Sequence, residues 1–407
     1  MSWRNVTIKE ICKIKSGKRL PKGKSFSTEE TNFPYIRARD IKAGKINSEN
    51  LVYLDEVTQK KLSQYIVNKN DIVITVVGAS VGDVGYVSEN LDGYNLTENA
   101  VRLTEFDESV NSLYLLYLLN SQKYWEIMQS IAGGSAQPKL GIYKVESIPL
   151  ELPTLDIQNR IVKSISSYDN LIENNQKQIK LLEEAAQRLY KEWFIDLRFP
   201  GHENVEIIDG VPAGWYIDRA DYYFKITIGK TPSRAEKQWF TNSGEGTPWI
   251  SISDMGESGT FAFYSKEDLT ADAIIRHNMK VVPKGTILVS FKLTVGRVVI
   301  TSSDMCTNEA IAHFHIDNDL DRAYTYCYLK NFEYDSLGNT SSISKAINSK
   351  IIKSMPFIMP SRGILGQFSM IVQPILDQIE LKQKIIFRLT EARDRLLPKL
   401  MSGEIEV

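Results

Sequence analysis

The stretch Pro153–Leu189 reads PTLDIQNRIVKSISSYDNLIENNQKQIKLLEEAAQRL. It recurs 207 positions later (360 − 153 = 207) as Pro360–Leu396, PSRGILGQFSMIVQPILDQIELKQKIIFRLTEARDRL. The two copies align without a gap and share identical pairs such as Ile172/Ile379 and Gln176/Gln383. An ungapped repeat of this length predicts an element whose length is constrained, which is typical of a long helix and not of a loop.

Both copies carry a seam of residues spaced alternately four and three apart, the 3.5-residue period of a coiled coil. The seam of the first copy is Ile161, Ile165, Tyr168, Ile172, Asn175, Ile179, Leu182, Ala186 and Leu189. The seam of the second copy is Phe368, Val372, Ile375, Ile379, Lys382, Ile386, Leu389, Arg393 and Leu396. One polar residue, Asn175 or Lys382, interrupts each seam at the equivalent position, which favours a fixed register between two partner helices.

We therefore expect the two helices to pair with each other. The alternative is two unrelated amphipathic helices, each packed on its own domain. Each copy begins just after a proline, Pro153 or Pro360, with Thr154 or Ser361 placed to cap the first turn.

Composition is ordinary for a globular protein: 407 residues, 43% hydrophobic and 24% charged, with a net charge of −1. The length predicts two to four domains. No apolar run is long enough to cross a membrane and no apolar signal core follows Met1, so we expect a cytoplasmic protein. Cys12, Cys306 and Cys327 are an odd, widely spaced set, which favours reduced, packed thiols.

The segments between the long helices also repeat. Trp3 matches Trp215 at a shift of 212 (215 − 3 = 212), and Pro34–Asp40 matches Pro248–Asp254 at a shift of 214 (248 − 34 = 214). The expected fold is therefore α+β, with two β-rich domains alternating with two long helices that pair as an antiparallel coiled coil in an internal pseudo-two-fold repeat. The predicted segments are residues 1–150, 151–197, 198–358 (with a linker over 198–210) and 359–407.

Local patterns predict strands over Phe33–Asp40 and Asp71–Val77. They predict one amphipathic helix over Leu113–Met128, followed by a loop over 133–139.

Local charge points to nucleic acid. Residues 1–45 hold twelve Lys or Arg against four acids, and residues 273–303 contain five cations and no acid. Such basic stretches fit a phosphate-facing surface, although a solvated lysine-rich face is the alternative. The two copies also place different side chains on one frame, since Arg37 and Arg39 align with Ser251 and Ser253, which suits the reading of two different targets.

From charge and loop placement we predict DNA contacts in both domains. Those in the first domain are Lys18, Arg19, Lys22, Lys24, Arg37, Arg39 and Ser80; those in the second are Lys230, Arg234, Ser251, Ser253, Lys292 and Arg297.

Catalytic and metal motifs are not found in the sequence. Gly229-Lys230-Thr231 resembles the end of a phosphate loop, but Phe224 stands where that motif requires glycine. The four histidines (His202, His277, His313 and His315) do not form a metal-ligand pattern. We therefore expect neither a catalytic centre nor a metal site.

The segment Leu152–Ile161, LPTLDIQNRI, resembles the Leu-Pro-Pro-Leu-x-Glu-Gln-x-x-Ile entry of the specificity (S) subunits of type I restriction-modification systems. Gln158 keeps the glutamine, whereas Ile157 replaces the glutamate, and the second copy at Met359–Leu365 is degenerate. The alternation of two variable domains with two repeated helices is similar to the same family along essentially the whole chain.

The resemblance implies that each domain is a target-recognition domain reading one half of a split site in double-stranded DNA. The paired helices would set the separation of the half-sites and form the platform for two modification (methyltransferase) subunits. Those subunits would bind S-adenosylmethionine, restriction subunits would be further partners, and this chain would bind no cofactor and catalyse nothing.

Two other classes stay open from the residues alone: a self-contained DNA methyltransferase or nuclease, and a two-headed scaffold that does not bind DNA. If the helices act as a ruler, the 29-residue seam Ile161–Leu189 spans about 43 Å. That length corresponds to roughly 12–13 base pairs of B-DNA.

Overall fold

The protein is described from a computed structural model that covers residues 3–133, 138–208, 210–337 and 347–406. The chain forms two compact units. Unit 1 comprises residues 1–170 and 391–407, and unit 2 comprises residues 171–390. Each long helix therefore contributes one end to each unit.

Unit 1 is built on short strands and short helices that precede the first long helix. Its strands are β1 (Arg4–Thr7), β2 (Lys13–Ser16), β3 (Pro34–Ile36), β4 (Ile41–Lys42), β5 (Lys45–Ile46), β6 (Val52–Tyr53), β7 (Ile72–Thr75), β8 (Val84–Tyr86), β9 (Asn95–Leu96), β10 (Ala100–Thr104) and β11 (Pro149–Leu152). Its short helices are α1 (Ile8–Ile11), α2 (Glu56–Leu62), α3 (Ser112–Leu119), α4 (Gln122–Ala132) and α5 (Ile142–Glu146). The first long helix is α6 (Leu155–Tyr190).

Unit 2 repeats this plan. Its strands are β12 (Ile207–Ile208), β13 (Val211–Pro212), β14 (Tyr216–Arg219), β15 (Lys225–Ile228), β16 (Phe240–Asn242), β17 (Thr247–Ile250), β18 (Phe261–Ala262), β19 (Glu267–Leu269), β20 (Ile287–Ser290), β21 (Val298–Thr301), β22 (Cys306–Thr307), β23 (Ile311–His315) and β24 (Pro356–Met359). Its short helices are α7 (Ala220–Tyr223), α8 (Ile252–Glu257), α9 (Ala271–Arg276), α10 (Asp319–Asn331) and α11 (Ser349–Lys353), and the second long helix is α12 (Arg362–Ser402).

The two main sheets of unit 1 have counterparts in unit 2, each with one more strand. The order β2-β10-β7-β8 in unit 1 corresponds to β15-β23-β20-β21 in unit 2, where β18 is added at the edge. A second sheet holds β6-β3-β9 in unit 1 and β16-β19-β17-β22 in unit 2, with β3–β9 and β17–β22 both parallel. The repeat read from the sequence is thus a repeat of topology.

The long helices pair antiparallel, as the seam predicts, and all eighteen seam residues are buried or half-buried. In unit 1, Ile161 and Ile165 near the start of α6 share a core with Leu400 and Met401 near the end of α12. In unit 2, Trp193 just after α6 packs on Phe368 near the start of α12, with ring centroids 5.7 Å apart. The expected α+β fold with an antiparallel coiled coil is confirmed.

Polar contacts fix the register of the pair. In unit 1, Arg393 Nη1 lies 2.7 Å from Asp169 Oδ1, and Tyr117 donates to the same carboxylate at 2.6 Å. In unit 2, the Lys382 ammonium donates to the side chain of Gln178 on the opposite helix. Asn175, its counterpart in the repeat, donates at 2.8 Å to the carbonyl of Leu171 in its own helix. The two mid-seam polar residues therefore form different hydrogen bonds: Lys382 bonds across the helix pair, and Asn175 bonds within its own helix.

Some local predictions need correction. The single helix predicted over Leu113–Met128 is wrong, because α3 ends at Leu119 and α4 starts at Gln122. The strand predicted over Phe33–Asp40 covers only Pro34–Ile36 and gives way to a 3-10 turn at Ala38–Asp40. Residues 134–137 of the predicted loop lie outside the described residues.

The three cysteines are buried and unpaired, as expected, and burial raises the pKa of Cys12 and of Cys306 to about 12. None of the helices in the described part of the chain is long and apolar enough to span a membrane.

Gln158 ties the start of α6 to the domain that precedes it. Its side chain is fully buried. Its amide donates to the carbonyls of Ser109 at 3.0 Å and Pro153 at 2.9 Å, and its oxygen accepts from the backbone N–H of Asn111 at 2.9 Å. Asn111 in turn caps α3. The glutamine of the Leu-Pro entry therefore positions the helix.

We predict that Gln158→Ala lowers the free energy of unfolding of unit 1 by about 2–4 kcal/mol, because one buried and two partly buried backbone groups lose their partner. Hydrogen–deuterium exchange should show faster exchange at the start of α3 and α6. The control is Gln367→Ala on the exposed side of α12, which should change stability by less than about 0.5 kcal/mol. Equal protection in the two variants would contradict a positioning role for Gln158.

Candidate nucleic-acid interface

A glycine follows β2 in unit 1 and β15 in unit 2, and it fixes where the basic loop leaves the sheet. A Cβ on Gly17 would lie 2.0 Å from the carbonyl oxygen of Thr97, and a Cβ on Gly229 would lie 2.1 Å from that of Asn308. Neither position can accept a side chain. The next residue is clamped as well, since the Lys18 N–H donates to the Leu96 carbonyl at 2.9 Å. In unit 2, the Lys230 N–H donates to the Thr307 carbonyl at 3.0 Å.

In unit 1 this loop carries four exposed cations: Lys18, Arg19, Lys22 and Lys24. Two of them lie near acids at the edge of ion-pair distance, with Arg19 3.4 Å from Glu98 and Lys24 3.5 Å from Asp55. Lys18 Nζ lies 5.8 Å from the centre of the Tyr65 ring. Exposed and loosely held cations on a fixed loop suit phosphate oxygens.

Part of the positive excess of residues 1–45 is neutralised by a later acid. Lys13 and Lys15 on β2 lie 2.5 and 2.6 Å from the two carboxylate oxygens of Glu105. Their hydrogen bonds lower the pKa of Glu105 to about 2. The sequence count therefore overstates the free charge of the strand, whereas the loop cations stay exposed.

The structure gives Arg37 and Ser251 the same structural task. The N–H of each donates at 2.8 Å to the carboxylate three residues later, Asp40 or Asp254, and both acids are buried. The Arg37 guanidinium also binds Asp40 and the Asn50 carbonyl, and the Ser251 hydroxyl donates to Asp254 at 2.6 Å. Although Arg37 and Ser251 differ in size and charge, both therefore cap a helical turn.

The neighbouring pair differs in character. Arg39 and Ser253 are exposed at equivalent positions of the repeat, and Ser253 accepts from Lys266 Nζ at 3.3 Å. Ser80 is half-buried in the turn between β7 and β8. Arg39 and Ser253 therefore remain candidates for contacts that differ between the two units.

In unit 2 the loop after β15 carries two predicted residues, Arg234 and Lys230, and Arg234 packs in an aromatic cage. The Arg234 guanidinium lies 4.3 Å from the ring of Phe240 and 4.5 Å from that of Trp249, and 2.6 Å from Glu267. Lys230 Nζ donates to the carbonyls of His277 and Asn278 at 3.4 and 3.2 Å. The rings and Glu267 hold the planar guanidinium in one orientation. Half of the Arg234 side chain stays exposed, so it can still donate to a ligand.

Glu309 lies between β22 and β23, in a segment that accepts from the Lys230 N–H of this loop and from the Phe291 N–H of the hairpin of β20 and β21. It accepts a hydrogen bond from the Thr231 hydroxyl. That bond lowers the pKa of Glu309, and the charges of Lys292 and Arg234 act in the same direction. The loop that carries Arg234 and the hairpin that carries Lys292 therefore meet at one segment of unit 2, which holds a carboxylate that sequence reasoning missed.

The remaining predicted residue of the hairpin, Arg297, has a partner within unit 2. The Arg297 guanidinium donates to the carbonyl of Ile252 and is half-buried against α8. Two other cations of the acid-free stretch are also engaged, with Lys284 2.7 Å from Glu380 and the Arg276 guanidinium 5.6 Å from the ring of Trp239.

His313 lies beneath this side of unit 2 on β23. It is fully buried, and its two ring nitrogens lie 2.8 Å from the Thr227 hydroxyl and 2.6 Å from the Thr307 hydroxyl. Burial, with His315 nearby, lowers the pKa of His313 to about 3. The neutral ring therefore supports the strand and the turn that clamp Lys230.

We predict that His313 makes unit 2 sensitive to acid. In the unfolded chain the imidazole has a pKa of about 6.5, so between about pH 6.5 and pH 3 the unfolded state binds a proton that the native state does not bind. Stability is then full above about pH 6.5 and falls, by up to about 1.4 kcal/mol per pH unit, as the pH drops towards 3. His313→Gln, which keeps a donor and an acceptor, should flatten this dependence in denaturation curves between pH 6.5 and 4. His202→Gln in the surface turn is the control, and parallel pH profiles for wild type and His313→Gln would contradict the assignment.

Comparisons with known proteins agree with this architecture. The family model for the type I restriction modification DNA specificity domain matches residues 1–184 and again residues 223–391. The type I restriction enzyme MjaIX specificity subunit of Methanocaldococcus jannaschii is 27% identical over all of this chain and 94% of its own length. The HindI specificity subunit of Haemophilus influenzae is 26% identical over 83% of this chain and 87% of its own length.

Among solved structures, the type I restriction-modification S subunit from M. genitalium has the same fold. It superposes with a TM-score of 0.61 at 19% identity, covering 98% of this chain and 96% of that one. Because the family model matches both units of the repeat in order, the chain belongs to the type I restriction modification DNA specificity family, whose members are non-catalytic specificity subunits.

Proposed function

We propose that this chain selects a bipartite DNA site for a type I restriction-modification complex, with one half-site read by each unit. Recognition is assigned to residues 1–150 and 198–358, and the long helices over 151–197 and 359–407 connect them. The observation that carries the proposal is that Gly17 and Gly229 clamp the same backbone in both units and release loops of different chemistry.

The predicted residues divide by role. Lys18, Arg19, Lys22 and Lys24 are exposed on a fixed loop and would contact phosphates, which positions the protein without reading sequence. Arg39, Ser253 and the caged Arg234 would reach base edges, because a planar guanidinium or a hydroxyl can bond to the groove edges of base pairs. Arg37, Ser251 and Arg297 would act through the frame that holds these side chains.

Partner subunits would dock on the long helices. Leu171 and Leu181 on α6 and Leu381 on α12 are exposed, by 49%, 65% and 50%. Apolar side chains on the outer side of a helix suit packing by a further helix. We assign this surface to two modification subunits, which would supply S-adenosylmethionine, and restriction subunits would join the same assembly. The paired helices would set a distance between half-site centres of roughly 12–13 base pairs, at about 1.5 Å per residue along the seam.

The charge assignment can be tested on the complex assembled with its modification subunits. Changing Lys22 and Lys24 to Ala should weaken binding to all DNA sequences alike. It should also reduce the slope of log K against log[salt] by about two. Each phosphate contact formed on binding releases about one counterion from the DNA, and the variant forms two contacts fewer.

The matched control is Lys13→Ala with Lys15→Ala, which removes the same charge from the same stretch but from cations already paired with Glu105. This double variant should keep the wild-type slope. A wild-type slope in the Lys22/Lys24 variant would place the DNA-contacting surface elsewhere.

A further inference from the structure

Leu293 is the most exposed large apolar side chain in the described part of the chain. It lies in the loop Phe291–Gly296 between β20 and β21, and 93% of it is exposed. It contributes almost nothing to the core of unit 2. An exposed leucine is unremarkable by itself, so its backbone and its surroundings carry the argument.

The backbone at Leu293 is in the left-handed region, with φ at +59°. The Val76 N–H donates to the Asn99 carbonyl, and the Phe291 N–H donates to the Ala310 carbonyl, so these residues correspond at the start of the two hairpin loops. Two residues further on stand Gly78 in unit 1, with φ at +104°, and Leu293 in unit 2. Glycine adopts this region freely, whereas a bulky residue is strained there. Unit 2 thus bears a strain that unit 1 avoids, and it places an apolar side chain in solvent as well.

The loop holds Leu293 in a fixed position. Phe291 beneath it is buried, and the buried Ser290 closes the loop. The Ser290 hydroxyl donates to the carbonyl of Thr294 at 2.5 Å and accepts from the N–H of Arg297 at 3.0 Å. The Gly296 N–H donates to the Ser290 carbonyl at 2.9 Å. A loop whose backbone is fixed in this way loses little conformational freedom on binding.

The tip also lies on the DNA side proposed above. The Phe291 N–H donates to the Ala310 carbonyl at 3.0 Å and the Lys230 N–H donates to the Thr307 carbonyl at 3.0 Å, so this hairpin and the loop after β15 bond to the same segment, Thr307–Ala310. Leu293 therefore lies in a loop that neighbours the loop carrying Lys230 and Arg234, whose side chains would contact the DNA. In the major groove, the only apolar group that base pairs present is the 5-methyl group of thymine.

We propose that Leu293 is a specificity-determining residue that packs on the 5-methyl group of one thymine in the half-site read by unit 2. This rests on the proposed function. Unit 1 carries only the small residues Gly78 and Ala79 in the corresponding part of its loop, so it would lack this contact and read its half-site by other side chains.

The test uses the complex assembled with its modification subunits and the wild-type recognition site, defined by sequencing of methylated DNA. Each thymine of the half-site read by unit 2 is replaced in turn by deoxyuridine, which removes only the methyl group. At one position wild-type affinity should fall by about threefold to tenfold, the value expected for one buried methyl group. Leu293→Ala should bind both DNAs equally and about as weakly as wild type binds the uracil DNA.

Leu293→Gly is a second variant, and it is expected to fold because glycine adopts the positive φ without strain. Its thermal stability should be unchanged or higher. It should lose the methyl discrimination as Leu293→Ala does. Leu320→Ala, at a surface leucine of α10 that is 43% exposed, is the matched control and should keep it.

The inference is overturned if that half-site contains no thymine. It is also overturned if no single uracil weakens wild type while sparing Leu293→Ala. A wild-type complex that binds all DNA sequences equally would instead overturn the proposed function, so the two failures are distinguishable.

Discussion

The antiparallel pairing of α6 and α12 is the interaction on which the rest of the structure depends. In unit 1, Ile161 and Ile165 from the start of α6 join Leu400 and Met401 from the end of α12 in the main core. In unit 2, Ala186 and Tyr190 join Phe368, Val372 and Ile379 in the same manner. Each unit therefore needs one end of both helices to complete its core, and neither helix can be shortened without exposing apolar surface in both units. This explains why the repeat tolerates insertions in the strands and loops but none in the helices.

Polar contacts between helices and strands fix how each domain is mounted on its own helix ends. In unit 2, Gln383 donates to the Ser258 carbonyl at 2.6 Å and accepts from the Phe261 N–H at 3.0 Å, and Glu183 accepts from the Thr260 hydroxyl. In unit 1, Gln158 serves the same purpose from the other end of α6. A specificity subunit has to hold its reading loops in one orientation, and buried hydrogen bonds of this kind are directional where apolar packing is not.

The sequence was most informative where a period or an internal repeat constrained it. The 3.5-residue spacing predicted both long helices, their seam and their pairing, because burial along one stripe leaves a regular pattern. The matching of the domains predicted a shared frame for the same reason. The sequence was less informative where the outcome depends on segments far apart in the chain. The cage around Arg234 is formed by Phe240, Trp249 and Glu267, and no local pattern signals it. The capping by Asp40 and Asp254 did leave a signal, an acid three residues after the cap position, which an interpretation based on charge alone overlooked.

The most direct test of the account lengthens both helices by one heptad at the boundary between the units. Duplicating Leu171–Lys177 after Asn170 and Lys384–Thr390 after Thr390 keeps both seams in phase. The assembled complex is then offered DNA in which the two half-sites are separated by random spacers, and the methylated molecules are sequenced. If the paired helices set the spacing, the variant methylates the same half-sites with a preferred spacer longer by about three base pairs, since seven residues add about 10 Å. Methylation at the wild-type spacer by this double-insertion variant would contradict this role of the paired helices.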